Sequence, residues 1–169
     1  MPATVRAEAE DGLTAELMTA VTGARRRALR DGDRQIDTAH LLHSLVEADP
    51  ETAAALGEGD RLARVLGYLV QRSIGYGLRW QRAVEDTGSA LPVVRGGENG
   101  AAGWSPAAAT ALAGAFERAA RRGDRRVRGL DLLAALAADP DSRAAEVLRR
   151  AGVDLLALAA RIEEPSQQV

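Results

Sequence analysis

His40 and His43 are the residues whose type and spacing come closest to a catalytic or metal-binding arrangement. Residues three apart lie on one face of a helix, so both imidazoles could reach one metal ion. Leu41 and Leu42 lie between them, however, and no third ligand stands nearby at a convincing spacing. Ser44 follows His43 directly but lacks the glycine context of a nucleophile elbow. The pattern favours two structural histidines over a metal site or a hydrolase triad.

The chain also lacks two residue types on which much enzyme chemistry depends. It has no cysteine, and all of its basic residues are arginine. A thiol nucleophile and a cysteine-based zinc site are therefore excluded, as are a P-loop lysine and a Schiff base. The sequence predicts a protein that is not an enzyme and that holds no cofactor.

The most basic stretch runs from Arg118 to Arg128 and could contact phosphates. The net charge of the chain is −2, and an earlier segment of similar sequence carries Asp31, Asp33 and Asp37. A solvated, ion-paired helix end is therefore favoured over a nucleic-acid interface. No run of 18 apolar residues exists, and the first 20 residues have no apolar signal region, so neither a membrane span nor a secretory signal is predicted. We expect a cytoplasmic protein.

A tandem repeat positions these residues. The segment from Thr19 to Leu45 aligns with the segment from Thr110 to Leu136 at a constant offset of 91 residues, with 13 of 27 positions identical. The shared elements include Gly-Asp-Arg and a following Leu-Leu-x-x-Leu. An internal repeat of this size predicts two copies of one supersecondary unit.

Each copy is predicted to form four helices, because apolar residues recur at helical spacing and the 3% aromatic content disfavours sheets. Thr14 and Ser105 are predicted N-caps, Gly32 and Gly123 are predicted stops, and a kinked helix is expected through Trp80. The fold class is therefore all-α: an eight-helix bundle of two tandem repeats with pseudo-twofold symmetry. We assign residues 13–87 to the first repeat, 88–103 to a glycine-rich linker and 104–164 to the second repeat.

The order of these features resembles the double Clp repeat of the N-terminal domain of Clp-type AAA+ unfoldases. The resemblance covers roughly residues 13–163 and is carried by the Thr-x-His-Leu-Leu helix start and by the Gly-Val-Asp turn at Gly152. It implies a domain without catalytic activity that docks adaptor and substrate proteins and delivers them to a hexameric ATPase and its protease. The signature positions, expected to be structural, are Thr38, His40, Leu41 and Leu42 in the first repeat, and Asp131, Leu132 and Leu133 in the second.

The sequence departs from the family pattern at two points. Without lysine no ATPase module can be present in these residues, and Met1 and the polar tail suggest a stand-alone copy of the domain. The acidic residue that precedes the signature His in the family, and that binds phosphoarginine in some members, is replaced here by Ala39 and Leu130. Neither side chain can pair with a guanidinium, so recognition of phosphoarginine is not expected.

The resemblance also implies where ligands bind, because family members carry aromatic residues at the start of the first helix of each repeat. The matching positions here are Leu13 and Trp104, and we predict that they line a surface between the repeats with Leu17 and Ala108. The leading hypothesis is a protein- or peptide-binding accessory of a Clp system. The alternative is sequestration of a hydrophobic cyclic-peptide antibiotic at the same surface.

Overall fold

The computed structural model describes residues 12–57, 60–73 and 103–163, which form eight helices and two short strands. The helices of the first repeat are α1 (Ala15–Asp31), α2 (Thr38–Ala48), α3 (Pro50–Leu56) and α4 (Asp60–Ser73). Those of the second repeat are α5 (Pro106–Arg122), α6 (Gly129–Ala138), α7 (Arg143–Arg150) and α8 (Leu155–Glu163). The all-α, eight-helix prediction is confirmed. None of these helices is long and apolar enough to cross a membrane.

The first helix of each repeat begins and ends in the same way. The side chains of Thr14 and Ser105 accept hydrogen bonds from the backbone N–H three residues later, at 3.2 and 3.0 Å. At the other end Gly32 and Gly123 adopt left-handed backbone angles, with φ of 73° and 83°. These local signals place both helices as predicted. The predicted continuation through Trp80 and the linker up to residue 102 lie outside the described residues.

Two short parallel pairings cross between the repeats, and the sequence analysis did not predict them. Strand β1 (Gln35–Ile36) pairs with β2 (Gly103–Trp104), so Ile36 lies opposite Trp104. Leu13 pairs in the same sense with Val127. The segment that precedes the first helix of each repeat therefore pairs with the other repeat. Gly103, the last residue of the predicted linker, is part of this pairing.

The two crossings are the same contact related by the pseudo-twofold axis. Ser105 N donates to Ile36 O at 3.0 Å, and Thr14 N donates to Val127 O at 3.0 Å. Both residues of the first bond lie 91 positions from their counterparts in the second, which is the offset of the sequence repeat. The repeats thus build one body with one core.

The signature helices α2 and α6 lie at the centre of that body. Residues 38–46 of α2 are all buried, including its polar members. In α6, Leu132, Leu133 and Leu136 have no exposed surface. Packing of these two helices against the surrounding ones excludes water from the leucines and supplies most of the hydrophobic stabilisation.

The start of α2 is fastened to the second repeat by buried polar contacts. Arg143 Nη1 donates to Asp37 Oδ2 at 2.8 Å, and Ala144 N donates to Thr38 Oγ1 at 2.9 Å. Asp37 also caps its own helix by accepting from His40 N at 3.0 Å. The carboxylate therefore joins the start of α2 to the other repeat through an almost fully buried ion pair.

Candidate binding surface

The predicted ligand-binding residues fall into two groups. Leu13 and Trp104 are half-buried and lie at the crossings between the repeats. Leu17 and Ala108 have no exposed surface and belong to the core. Leu13 and Trp104, which pack against that core, are therefore the predicted residues with surface that a ligand could touch. We call the surface around Leu13 and Trp104 the seam.

Two further residues of the seam were missed by sequence reasoning. The guanidinium of Arg25 lies 5.7 Å from the centre of the Trp104 ring, within the range of a cation–π contact. The residue 91 positions after Arg25 is Phe116, which is 49% exposed. The pseudo-twofold axis therefore relates the Arg25–Trp104 pair to Phe116 and Leu13. One end of the seam presents a cation on an aromatic ring, and the other end is apolar.

The seven signature residues are all buried. His40 and Asp131 both occupy the third position of their helices and return a hydrogen bond to the residue before the helix. His40 Nδ1 accepts from Asp37 N at 2.9 Å, and Asp131 Oδ2 accepts from Arg128 N at 2.9 Å. An imidazole and a carboxylate thus serve as the same half of a capping box. The change from His to Asp between the repeats preserves this role.

The charges around the two caps are inverted between the repeats. His40 Nε2 lies 2.8 Å from Asp33 Oδ2 and 4.0 Å from Asp31. In the second repeat the counterpart of Asp31 is Arg122, which forms a two-pronged ion pair with Asp131. An imidazole that faces two acids in the first repeat is therefore matched by an acid held by arginine in the second. Sequence reasoning missed this inversion, although the aligned residues carry it.

Asp31, Asp33 and His40 place three possible metal ligands within 4.8 Å of one another. The third ligand is not evident from the sequence because both aspartates lie outside α2. Asp31 is the last residue of α1, and Asp33 lies in the connection that follows it. His43 does not join them, and its Nε2 lies 3.5 Å from Glu47. Both ring nitrogens of His40 already have partners: Nδ1 accepts from Asp37 N, and Nε2 lies against Asp33. A metal ion bound at Nε2 would require the ring proton on Nδ1, which could then no longer accept from Asp37 N. Coordination of a metal would therefore break the capping box. We assign the group to helix capping.

The environment of Asp131 makes stability depend on pH. Burial alone would raise the pKa of this carboxyl, but the hydrogen bonds from Arg122 and from Arg128 N outweigh burial and lower the pKa below its ordinary value of 3.8. A lowered pKa contributes stability that is present above pH 4 or so and is lost as the pH falls further. We expect Asp131→Asn to lower the free energy of unfolding at pH 7, with the deficit shrinking towards pH 3.

Chemical denaturation of the wild type and of Asp131→Asn at a series of pH values from 7 to 3 measures the difference in free energy of unfolding. Glu163→Gln is the control, because this carboxylate pairs with Arg118 but is 61% exposed, and solvent weakens such a pair. A deficit for Asp131→Asn that stays constant over this pH range would contradict the assignment.

Ala39 and Leu130 occupy the positions at which members of the Clp family carry an acidic residue before the signature histidine. Ala39 has no exposed surface, and Leu130 is half-buried against the core. The surroundings of the two signature helices therefore agree with the expectation that phosphoarginine is not the ligand, which remains a prediction.

Comparisons with known proteins agree with this architecture. The family described as the Clp repeat N-terminal domain matches residues 104–169. The chaperone protein ClpB of Rhodopseudomonas palustris is 31% identical over 133 residues, which is 79% of this chain and 14% of that protein. This chain carries a Clp N-terminal domain. It spans only a small part of the length of that ClpB.

Solved structures show the same fold for the Clp domain. The N-terminal domain of the chaperone ClpD from Arabidopsis thaliana superposes with a TM-score of 0.63 at 20% identity, covering 89% of this chain and 92% of that one. A chain from a malarial protein secretion system gives a TM-score of 0.65 at 17% identity, with the same two coverages. At these identities the likeness concerns the fold alone. The resemblance read from the sequence is confirmed.

Proposed function

We propose that this Clp domain is a non-catalytic module that binds substrate or adaptor proteins and presents them to a Clp ATPase and its protease in the cytoplasm. The ClpB relative is a chaperone, and a module of this kind would act beside such a machine. His40, one of the potential metal ligands of the first repeat, is engaged in a helix cap, so the chemistry of the described residues favours binding over catalysis.

The observation that carries the proposal is the half-exposed Trp104 at the crossing of the repeats. Trp104 belongs to β2, which pairs with β1, and the guanidinium of Arg25 lies over its ring. Large aromatics fixed in this way are enriched among the residues that dominate protein–protein binding energy. Leu13, at the related position, extends the apolar surface.

We favour a protein or peptide over a cyclic-peptide antibiotic as the ligand of the seam. A compact apolar pocket around Trp104 would suit a small ligand. The groove of about 400 Å³ in the described residues is lined by none of the four predicted ligand-binding residues. No feature of the described residues therefore specifically supports sequestration of an antibiotic at the seam.

We expect Trp104→Ala to weaken binding of an unfolded client, such as a fluorescein-labelled carboxymethylated protein, by at least tenfold. The loss of one anchoring aromatic of about 2 kcal/mol corresponds to that factor. Because Trp104 is only half-buried, the variant should stay folded with a small fall in melting temperature. Fluorescence anisotropy and thermal denaturation give the two readouts.

Leu156→Ala is the matched control, because Leu156 is a large apolar residue on α8 that is 84% exposed and lies outside the seam. It should bind the client as the wild type does. Unchanged client binding by Trp104→Ala, or a collapse of its melting temperature, would remove Trp104 from the binding role.

A further inference from the structure

A groove of about 400 Å³ runs along the second repeat, away from the seam residues. One wall is the face of α5 from Ala107 to Arg121, and the other is the end of α6 with the turn that follows it. Its lining includes Ala111, Gly114 and Ala135, whose small side chains leave the helix backbones near the surface. The groove thus has a narrow floor with little side-chain bulk.

The first repeat fills the corresponding space with polar side chains. Where the second repeat has Ala134, Ala135 and Ala138, the aligned residues of the first are His43, Ser44 and Glu47. There Arg27 Nε donates to Ser44 Oγ at 3.2 Å, and Arg27 forms an ion pair with Glu47. The three alanines therefore leave a groove in the second repeat, whereas a hydrogen-bonded network of side chains fills the corresponding space in the first.

The replacement of these polar residues by alanine leaves one arginine at the groove with an unused hydrogen-bond donor. Arg118 is the counterpart of Arg27, and its Nε is buried without a hydrogen-bond partner within the described residues. The acceptor is missing because Ala135 replaces the serine, and Asp131 Oδ1 lies 3.9 Å away, beyond hydrogen-bonding distance. Arg118 Nη1 binds Glu163 at 2.8 Å, at the exposed edge. Buried donors without partners are rare and costly, so this guanidinium retains capacity for an acceptor.

The charges at the groove indicate the polarity of its ligand. Arg118 and Arg121 line the same end. The acidic lining residues are Glu117 on α5 and Asp139 at the end of α6, whose Oδ1 accepts a hydrogen bond from Asp141 N. Arg121 is exposed and makes no ion pair within the described ranges. Two guanidiniums at the end of an apolar floor suit a carboxylate.

The length of the groove suits a peptide in an extended conformation. The wall from Ala107 to Arg121 spans fourteen residue steps, or about 21 Å of helix. An extended peptide advances about 3.3 Å per residue, so about six residues would follow this wall. The small side chains of the floor admit backbone and small apolar groups but little more.

We propose that this groove is a second binding site, distinct from the seam, which takes an extended peptide segment of small apolar residues followed by an acidic residue. The apolar residues lie over the alanine floor, and the carboxylate pairs with Arg118 and Arg121. The first repeat cannot take such a segment because His43, Ser44 and Glu47 occupy its groove. The site is therefore single, although the fold is duplicated.

The test uses two fluorescein-labelled hexapeptides of alternating alanine and valine, one ending in two aspartates and the other in two lysines. Wild type should bind the acidic peptide at least tenfold more tightly than the basic one. The triple variant Ala134→His, Ala135→Ser, Ala138→Glu gives the groove the side chains of the first repeat and should lose that binding at least tenfold. Ala113→Glu, an exposed change on α5 outside the groove, should bind as the wild type does.

Arg121→Glu keeps the test decisive if the triple variant does not fold, because Arg121 is exposed. It should abolish the preference for the acidic peptide. Trp104→Ala should bind both peptides as the wild type does, which separates this site from the proposed function of the seam. Equal binding of both peptides by the wild type, or unchanged binding by Arg121→Glu, would overturn the proposal. A dimer in sedimentation that the triple variant dissociates would do so as well, since a second copy would then fill the groove.

Discussion

Replacing Gly129 with alanine should lower the free energy of unfolding by about 2–4 kcal/mol, through overpacking and the loss of a helix cap. A Cβ at Gly129 would lie 2.8 Å from Cγ of Asp49, closer still to its Oδ2, and 3.1 Å from Leu45 Cδ1. Asp49 is buried and cannot move away freely, because it accepts hydrogen bonds from Glu51 N and Thr52 Oγ1 at the start of α3. The first turn of α6 therefore packs against the first repeat only with glycine at this position.

Gly67→Ala is the control for this substitution. Gly67 lies within α4, where an added methyl group would meet nothing within 4 Å, and its backbone has no positive φ. The alanine should stabilise the protein by about 0.5–1 kcal/mol because it improves helix propensity. Urea denaturation measures both variants. Equal effects for Gly67→Ala and Gly129→Ala would show that the contact with Asp49 is unimportant.

Replacing Arg143 with methionine should lower the free energy of unfolding by about 3–5 kcal/mol, because it takes the guanidinium away from the buried carboxylate of Asp37. Arg143 and Asp37 keep only 10% and 2% of their side-chain surfaces exposed and lie 2.8 Å apart. This pair fastens α7 of the second repeat to the cap of α2 in the first. The loss should be seen in urea denaturation as one cooperative transition at lower urea concentration.

Arg150→Met removes an arginine from the same helix and is the matched control. Arg150 pairs with Glu146 at 3.0 Å, but its side chain is 48% exposed, and such surface pairs contribute about 0–1 kcal/mol. The double variant Asp37→Asn, Arg143→Met should recover part of the loss, since no unpaired charge remains buried. A cost for Arg143→Met no larger than that for Arg150→Met would contradict the role of the pair.

The helices could be predicted from sequence because local residues determine where they begin and end. Thr14 and Ser105 each cap a helix with their own side chain, and Gly32 and Gly123 end a helix through their own backbone. The constant offset of the repeat then implies the symmetry of the whole. These signals need no knowledge of distant contacts.

The binding residues were harder to predict, because the apolar stripe that reveals a helix is also the stripe that the core buries. Leu17 and Ala108 were predicted to line a ligand surface, and both lie in the core. Arg25 lies off the stripe, where sequence alone does not distinguish a binding face from ordinary surface. Phe116 has the apolar character of a core residue, yet it is 49% exposed.

The strands and the groove have no sequence pattern of their own. The pairing of Ile36 with Trp104 involves two residues on each side, too few to show an alternation. Ala134 and Ala135 are ordinary residues of an alanine-rich helix, and they become a groove only beside Gly114 and Arg118. Such features depend on which helices pack together.

The most direct test of the central claim is affinity capture from a lysate of the source cell, with wild type and Trp104→Ala as baits and the bound proteins identified by mass spectrometry. We expect wild type to recover a Clp ATPase together with its adaptors or a consistent set of clients. We expect Trp104→Ala to lose the adaptors and clients. Recovery of no Clp component or client, with an apolar peptide in the eluate instead, would exclude the proposed binding role and support sequestration of a small ligand.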